Sequence, residues 1–200
     1  GVDGYWCLGD LAAIGYDPVG VLERVTSLPN ACFIRGNTDR YLVTGELPWI
    51  PLDEAIEDPA SARVFVQIAR SFSWTMGAVT SAGWLPWFRD LPLEQRFTLP
   101  DGSRVLLVHA APGADDGRGI EINTSDEKLF ELVCDSDADL ILVGHTHLPF
   151  ERKAGSVRVV NPGSVSNPFP PDLRAVYAVL EADDHSCSVH HRRVEYDREA

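Results

Sequence analysis

The chain has 200 residues, with 17 Lys and Arg against 30 Asp and Glu, a formal net charge of −13. With 44% hydrophobic and 24% charged residues it is too apolar for a disordered chain and is sized for one domain with a substantial core. The acidic balance argues against a nucleic-acid groove or a polybasic membrane face, and no uncharged apolar stretch approaches the roughly 20 residues that span a bilayer. Nothing at the start reads as a signal peptide. Cys7, Cys32, Cys134 and Cys187 are scattered singles with no Cys-x-x-Cys pair. That usage fits a reducing, cytoplasmic setting better than a disulfide framework or a thiolate zinc site.

The chain opens at Gly1 and reaches a strand-like run, Tyr5-Trp6-Cys7-Leu8, almost at once, so it is expected to start in mid-fold. That run ends at Gly9-Asp10. Asp17-Pro18 then offers an N-cap followed by a proline at the first helical position. Val21/Leu22, Val25 and Leu28 recur at helical spacing, and Pro29 marks the stop. A second apolar run, Ala31 to Ile34, closes on Gly36-Asn37-Thr38-Asp39. Residues 41–95 change character: Trp49, Trp74, Trp84 and Trp87 sit among prolines, and Asp58-Pro59 caps a helix with Phe65, Ile68, Ala69 and Phe72 on one stripe. The segment is predicted to be a mostly helical insertion within a single α/β domain over 1–200. Its tryptophans could wall a base-binding pocket, although aromatics at helical spacing usually pack a core.

Downstream, Val105 to Val108 ends at His109. Thr124-Ser125-Asp126-Glu127 has the form of a capping box for a helix with Leu129, Phe130 and Val133 on one face. Leu140 to Val143 ends at Gly144-His145-Thr146-His147. A β-like portion follows: Val157 to Val160, the turn Asn161-Pro162-Gly163-Ser164, then Ala175 to Leu180 and Ser188 to Val194. His185, His190 and His191 lie in this polar terminal hairpin and are expected at the surface. Residues 183–200 read as edge strand or frayed end.

Four apolar runs thus close on residues that bind hard or borderline metals: Asp10, Asn37, His109, and the pair His145 and His147. In open α/β sheets the carboxyl ends of strands meet at one crevice, so four such ends are expected to converge. Carboxylate and amide oxygens with imidazole suit Mn, Fe, Zn or Ni better than Ca or Mg. Gly9, Gly36 and Gly144 permit the tight turns that this needs. Each piece alone is weak. A Gly-Asp after a strand is common, a lone strand-end histidine such as His109 is more often structural, and His145-Thr146-His147 could be a polar loop in water. Their conjunction in this order is specific.

Carrying Gly9-Asp10, Gly36-Asn37-Thr38-Asp39, Val108-His109-Ala110 and Gly144-His145-Thr146-His147, the sequence resembles the calcineurin-like metallophosphoesterase family. Leu107 to Pro112, and Asn161 to Val165 followed by Arg174 to Val179, favour its small bacterial phosphodiesterase-like branch. The resemblance implies a four-layer α/β fold, two mixed β-sheets sandwiched between helices, with a two-metal site at the loop edge. It implies two divalent transition metals, manganese first, with Fe, Zn or Ni as alternatives. Asp10 would bridge them; Asn37, His109 and His145 would complete one and His147 would serve the other. The Asn37 amide would face a substrate phosphate oxygen. The family pattern also has an Asp-x-His strand and a helix ahead of the Gly-Asp; neither is in this sequence, so an N-terminally incomplete chain is expected. Many members place a histidine at the position of Thr38 to protonate the leaving group. Threonine cannot do so at neutral pH, which implies a good leaving group or a different acid. Asp39 could act there or only orient the loop.

The implied activity is hydrolysis of a small phosphodiester or phosphomonoester, a nucleotide among the candidates, by attack of metal-bound hydroxide. The net charge disfavours a nucleic-acid polymer, no membrane partner is expected, and an exposed sheet edge would permit a homo-oligomer. Ser164 has no Gly-x-Ser-x-Gly elbow and is expected to shape the site's rim. The competing reading is a non-catalytic scaffold or binding protein with a degenerate site, which Thr38 and the missing Asp-x-His would suit. The presence of Asn37, His109, His145 and His147 together argues for the enzyme.

Overall fold

The computed structural model describes residues 1–47 and 58–197; Trp49 and the last three residues of the charged tail lie outside the described residues. The chain divides into two compact units, Gly1–Pro92 and Leu93–Ala200.

In the first unit, β1 (Tyr5–Cys7) pairs in parallel with β2 (Ala31–Phe33), in register from Tyr5 opposite Ala31 to Cys7 opposite Phe33. A parallel pair needs a crossover, and α1 (Pro18–Thr26) supplies it. Its start is set locally: Asp17 Oδ1 accepts the Gly20 N–H at 3.0 Å, and Pro18 occupies the first turn, where no donor is missed. Leu22 is fully buried, while its neighbour Val21 faces out. α2 (Asn37–Thr44) begins soon after β2 and stops at Gly45, whose φ of 77° is the left-handed cap glycine tolerates. α3 (Pro59–Ser81) is capped by Asp58, whose carboxylate accepts from Ala60 and Ser61; the hydrogen bonds from Ser61 come first in holding that carboxyl below its ordinary range. α4 (Leu85–Arg89) follows.

Leu22, Tyr41, Leu42, Phe72, Val79 and Phe88 form the core of this unit. Trp84 and Trp87 pack edge to face at 5.6 Å, and Trp87 meets Phe33 at 5.3 Å, so these two are structural aromatics. Trp74 is instead 60% exposed and borders an open hollow of about 550 Å³ together with Val19 and Gly77. Burial, with the neighbouring Cys32 second, pushes the Cys7 thiol up to about 11, away from the thiolate form that a nucleophile needs.

The second unit is built on a five-stranded mixed sheet in the order β3-β4-β5-β7-β6. β3 (Glu94–Thr98) runs antiparallel to β4 (Arg104–Val108); β4, β5 (Leu140–Val143) and β7 (Val157–Asn161) are parallel; β6 (Phe150–Ala154) returns antiparallel to β7. All four residues of β5 are buried, as expected for a central parallel strand covered on both faces. α5 (Asp126–Val133) lays Leu129 and Val133 into a core with Leu106, Ile141, Val143 and Val159.

Two local expectations shift here. The N-cap is Ser125, whose Oγ accepts from Lys128, because the Thr124 hydroxyl is already taken by the Glu121 N–H at 2.9 Å. Phe130 leaves the buried stripe; it is 51% exposed and lies over Gly155, where an added Cβ would stand 3.2 Å from its ring. The chain closes with the antiparallel hairpin β8 (Ala175–Ala182) and β9 (Cys187–Val194). No helix among the described residues is long and apolar enough to cross a membrane.

Candidate metal centre

In the first unit the β1–β2 register carries Gly9-Asp10 and Gly36-Asn37 forward together, since these residues lie two to four positions past the paired ends Cys7 and Phe33. Asp39 locks the two loops. It is wholly buried, and its carboxylate accepts the N–H groups of Asp10 at 2.8 Å, Leu11 at 2.9 Å and Gly36 at 2.8 Å. The role left open between acid and loop anchor therefore falls to the anchor. Asp10 sits at φ 57°, a conformation that costs a non-glycine residue about 1 kcal/mol or more and persists only where its surroundings impose it. Its Oδ1 accepts both donors of Thr38, the backbone N–H at 3.1 Å and the hydroxyl at 2.8 Å. The carboxylate orientation is fixed by the first turn of α2, whose N-terminal dipole end also favours the negative charge.

In the second unit, Val108 lies opposite Val143 in the parallel register, so His109 and Gly144 come next side by side. The Gly144 N–H donates to the His109 carbonyl at 2.8 Å. His109 is 1% exposed, and its ring meets that of His145 edge to face at 5.2 Å. His145 (φ 62°) and His147 (φ 59°) are both left-handed, so the chain turns at each residue instead of alternating as a strand would.

Each of these two rings is pinned by a carbonyl through a different nitrogen. His145 Nε2 lies 2.9 Å from the Gly117 oxygen, and His147 Nδ1 lies 3.0 Å from the Asn167 oxygen. A carbonyl oxygen only accepts, so those nitrogens carry the hydrogens. In the neutral rings the lone pair is then Nδ1 of His145 and Nε2 of His147. Metal-ligating histidines are held in this way, one nitrogen donating to a carbonyl while the other faces the ion.

Two residues that sequence reasoning gave no role support this loop. Asn161, wholly buried at the end of β7, donates from Nδ2 to the Gly144 carbonyl at 2.7 Å and to Thr146 Oγ1 at 3.1 Å; its Oδ1 accepts the Gly163 N–H at 2.9 Å. The visible signal was an Asn-Pro-Gly turn directly after a strand. Gly119, at φ 66°, packs on the His145 ring: an added Cβ would lie 2.7 Å from its Cδ2 and 3.3 Å from the Ala110 oxygen. Gly119→Ala is expected to displace the ring from Gly117 and to weaken divalent-ion binding about 10- to 100-fold, read by isothermal titration calorimetry.

A mixed α/β fold whose strand ends carry this donor pattern defines a metallophosphoesterase-type protein. A family model of the calcineurin-like phosphoesterase superfamily domain matches residues 1–185, and the chain belongs to that superfamily. The uncharacterized protein MJ0912 of Methanocaldococcus jannaschii is 28% identical over 216 residues, covering 98% of this chain and 78% of its own. Among solved structures, the hypothetical protein PH1004 from Pyrococcus horikoshii superposes with a TM-score of 0.80 at 19% identity, covering 100% of this chain and 77% of its own. A metallophosphoesterase from Sphaerobacter thermophilus gives 0.73 at 23% identity, covering 98% and 79%. These likenesses establish the fold.

The superfamily generally binds divalent metals. The donors of this chain fit such an ion in chemistry: oxygen from Asp10 and Asn37, and imidazole nitrogen from His109, His145 and His147, two of them in fixed tautomers. Among the described residues, no group of three or more His, Cys, Asp or Glu is gathered to hold an ion. In the first unit Thr38 and Asp39 hold Asp10, and in the second the His109 and His145 rings meet while Asn167 pins His147.

Proposed function

We propose that this chain is a metal-dependent phosphoesterase acting on a small phosphodiester or phosphomonoester. Asp10, Asn37, His109, His145 and His147 are assigned as ligands of two divalent transition metals, manganese first, since mixed oxygen and imidazole donors suit the later divalent ions over Ca or Mg. The observation that carries the reading is the opposite pinning of His145 and His147, Nε2 of one on the Gly117 carbonyl and Nδ1 of the other on the Asn167 carbonyl, the way ligating imidazoles are oriented. When bound, two such ions supply Lewis acidity and a nucleophile from water near neutral pH.

The residues of the chain supply orientation. Thr38 holds Asp10, Asp39 holds the backbone of both loops, and the Asn37 amide is suited to a phosphate oxygen. The −13 charge supports a small ester over a nucleic-acid polymer, whose approach it would oppose. A cytoplasmic setting belongs to the same reading, supported by four free cysteines.

Thr38 sharpens the expected substrate preference. Its single hydroxyl hydrogen is committed to Asp10 Oδ1, so it protonates no leaving oxygen. General acid catalysis is worth about 10²- to 10⁴-fold, and without it turnover should follow the leaving group. With Mn²⁺, the protein is expected to hydrolyse p-nitrophenyl phosphate and bis(p-nitrophenyl) phosphate about 100-fold or more faster than the corresponding alkyl esters. Equal rates on alkyl and nitrophenyl esters would reveal another acid; no turnover of either ester would remove the proposed activity.

A further inference from the structure

We propose that the β8–β9 hairpin braces the His145–His147 loop, and that His191 is a positioning residue acting through Asn161. His191 lies on β9 opposite Ala178, and it is half-buried, not the surface residue its polar neighbourhood suggested. Its Nε2 is 2.8 Å from the Asn161 carbonyl oxygen. Because that oxygen accepts, Nε2 carries the hydrogen and the neutral tautomer of His191 is fixed.

The hairpin grips the same turn at two further points. The Val176 N–H donates to the Ser164 carbonyl at 2.8 Å. Gly163, at φ 88°, lies directly against Val176, where an added Cβ would come within 2.8 Å of the valine Cβ. The turn from Asn161 to Ser164 is thus held by main-chain, side-chain and steric contacts from the hairpin.

From that turn two branches reach the histidines. The Asn161 amide binds Gly144 and Thr146, which flank His145 in the chain. On the other branch, Ser164 Oγ accepts the Asn167 N–H at 3.0 Å, and the Asn167 carbonyl takes the hydrogen of His147 Nδ1. One branch fixes the loop backbone and the other fixes a ring nitrogen. The value of this bracing to metal binding rests on the function proposed above; the bracing itself does not, and it is tested on metal-free protein.

The test is a long-range ¹H–¹⁵N correlation spectrum of histidine-labelled, metal-free protein at a pH where the rings are neutral. The wild type is expected to show His191 and His145 as Nε2–H and His147 as Nδ1–H. In His191→Phe, His147 should become a mixture of tautomers, and His191→Gln, which keeps an N–H donor, should restore the single form. Mn²⁺ affinity should weaken about 3- to 10-fold in His191→Phe and recover in His191→Gln. An Nδ1–H tautomer of His191 in the wild type would overturn the proposal without recourse to any variant. So would unchanged His145 and His147 patterns in a folded His191→Phe. A wild type with the expected tautomers but no affinity for Mn²⁺ would count against the phosphoesterase reading and leave the bracing intact.

Discussion

Asp39→Ala is expected to destabilise the first unit by about 3 kcal/mol or more, because one deletion strands three backbone donors. The amides of Asp10, Leu11 and Gly36 all converge on the Asp39 carboxylate, and Asp39 itself is inaccessible to water that could replace it. Truncation leaves those donors without a strong acceptor and releases Asp10 from its left-handed conformation. Asp39→Asn keeps the shape but turns an amide N–H₂ toward at least one of the same N–H groups, so it should recover only part of the loss. Denaturant unfolding gives the magnitude. Hydrogen exchange gives the location: the Asp10, Leu11 and Gly36 amides should lose protection in Asp39→Ala well before the α3 amides do. Uniform loss, or none, would mean that the carboxylate is not the anchor of these loops.

Asn161→Leu should be the second large effect, about 2–4 kcal/mol in the second unit. The leucine is close in volume, so the cost is in hydrogen bonds and not in packing. The Gly144 carbonyl and the Gly163 N–H each lose a buried partner. Asn161→Asp separates the contributions: it retains an acceptor for Gly163 but sets a carboxylate oxygen against the Gly144 carbonyl. Its damage should therefore approach that of leucine above the carboxyl pKa and ease on protonation, when the acid can donate to Gly144. Both variants should also weaken divalent-ion binding about 10- to 100-fold, as outer-shell losses do. Unfolding curves and calorimetric titration on the same samples distinguish a stability defect from a site defect.

Much of the local structure was legible because its causes are local. Asp17-Pro18 and Asp58-Pro59 start helices through hydrogen bonds spanning two or three residues, and the strand ends at Asp10, Asn37, His109 and Gly144 are marked by where apolar runs stop. The α5 cap slipped by one residue because two adjacent hydroxyls compete, and the winner is decided by Glu121, which occupies Thr124. The Val21/Leu22 and Leu129/Phe130 pairs show a related limit: adjacent apolar residues lie about 100° apart on a helix, so only one of each pair enters the core.

What stayed hidden in the site is held by long-range bonds. Asn161 reaches back 17 and 15 residues to Gly144 and Thr146, His191 reaches back 30 to Asn161, and His145 reaches 28 to Gly117. No periodicity or spacing encodes those pairings. They follow from the β4–β5–β7 register and from where the terminal hairpin folds back. The donors proposed here as metal ligands could be picked out from the chain, whereas the groups that orient them could not.

Elemental mass spectrometry after equilibration with Mn²⁺ and removal of excess ion measures the ligand assignment most directly. The wild type should retain about two ions per chain, and Asp10→Asn and His145→Ala should lose bound ion while keeping the far-ultraviolet circular dichroism of the parent. A wild type that retains no ion, or folded variants that retain as much as the wild type, would contradict the assignment of Asp10 and the histidines as ligands.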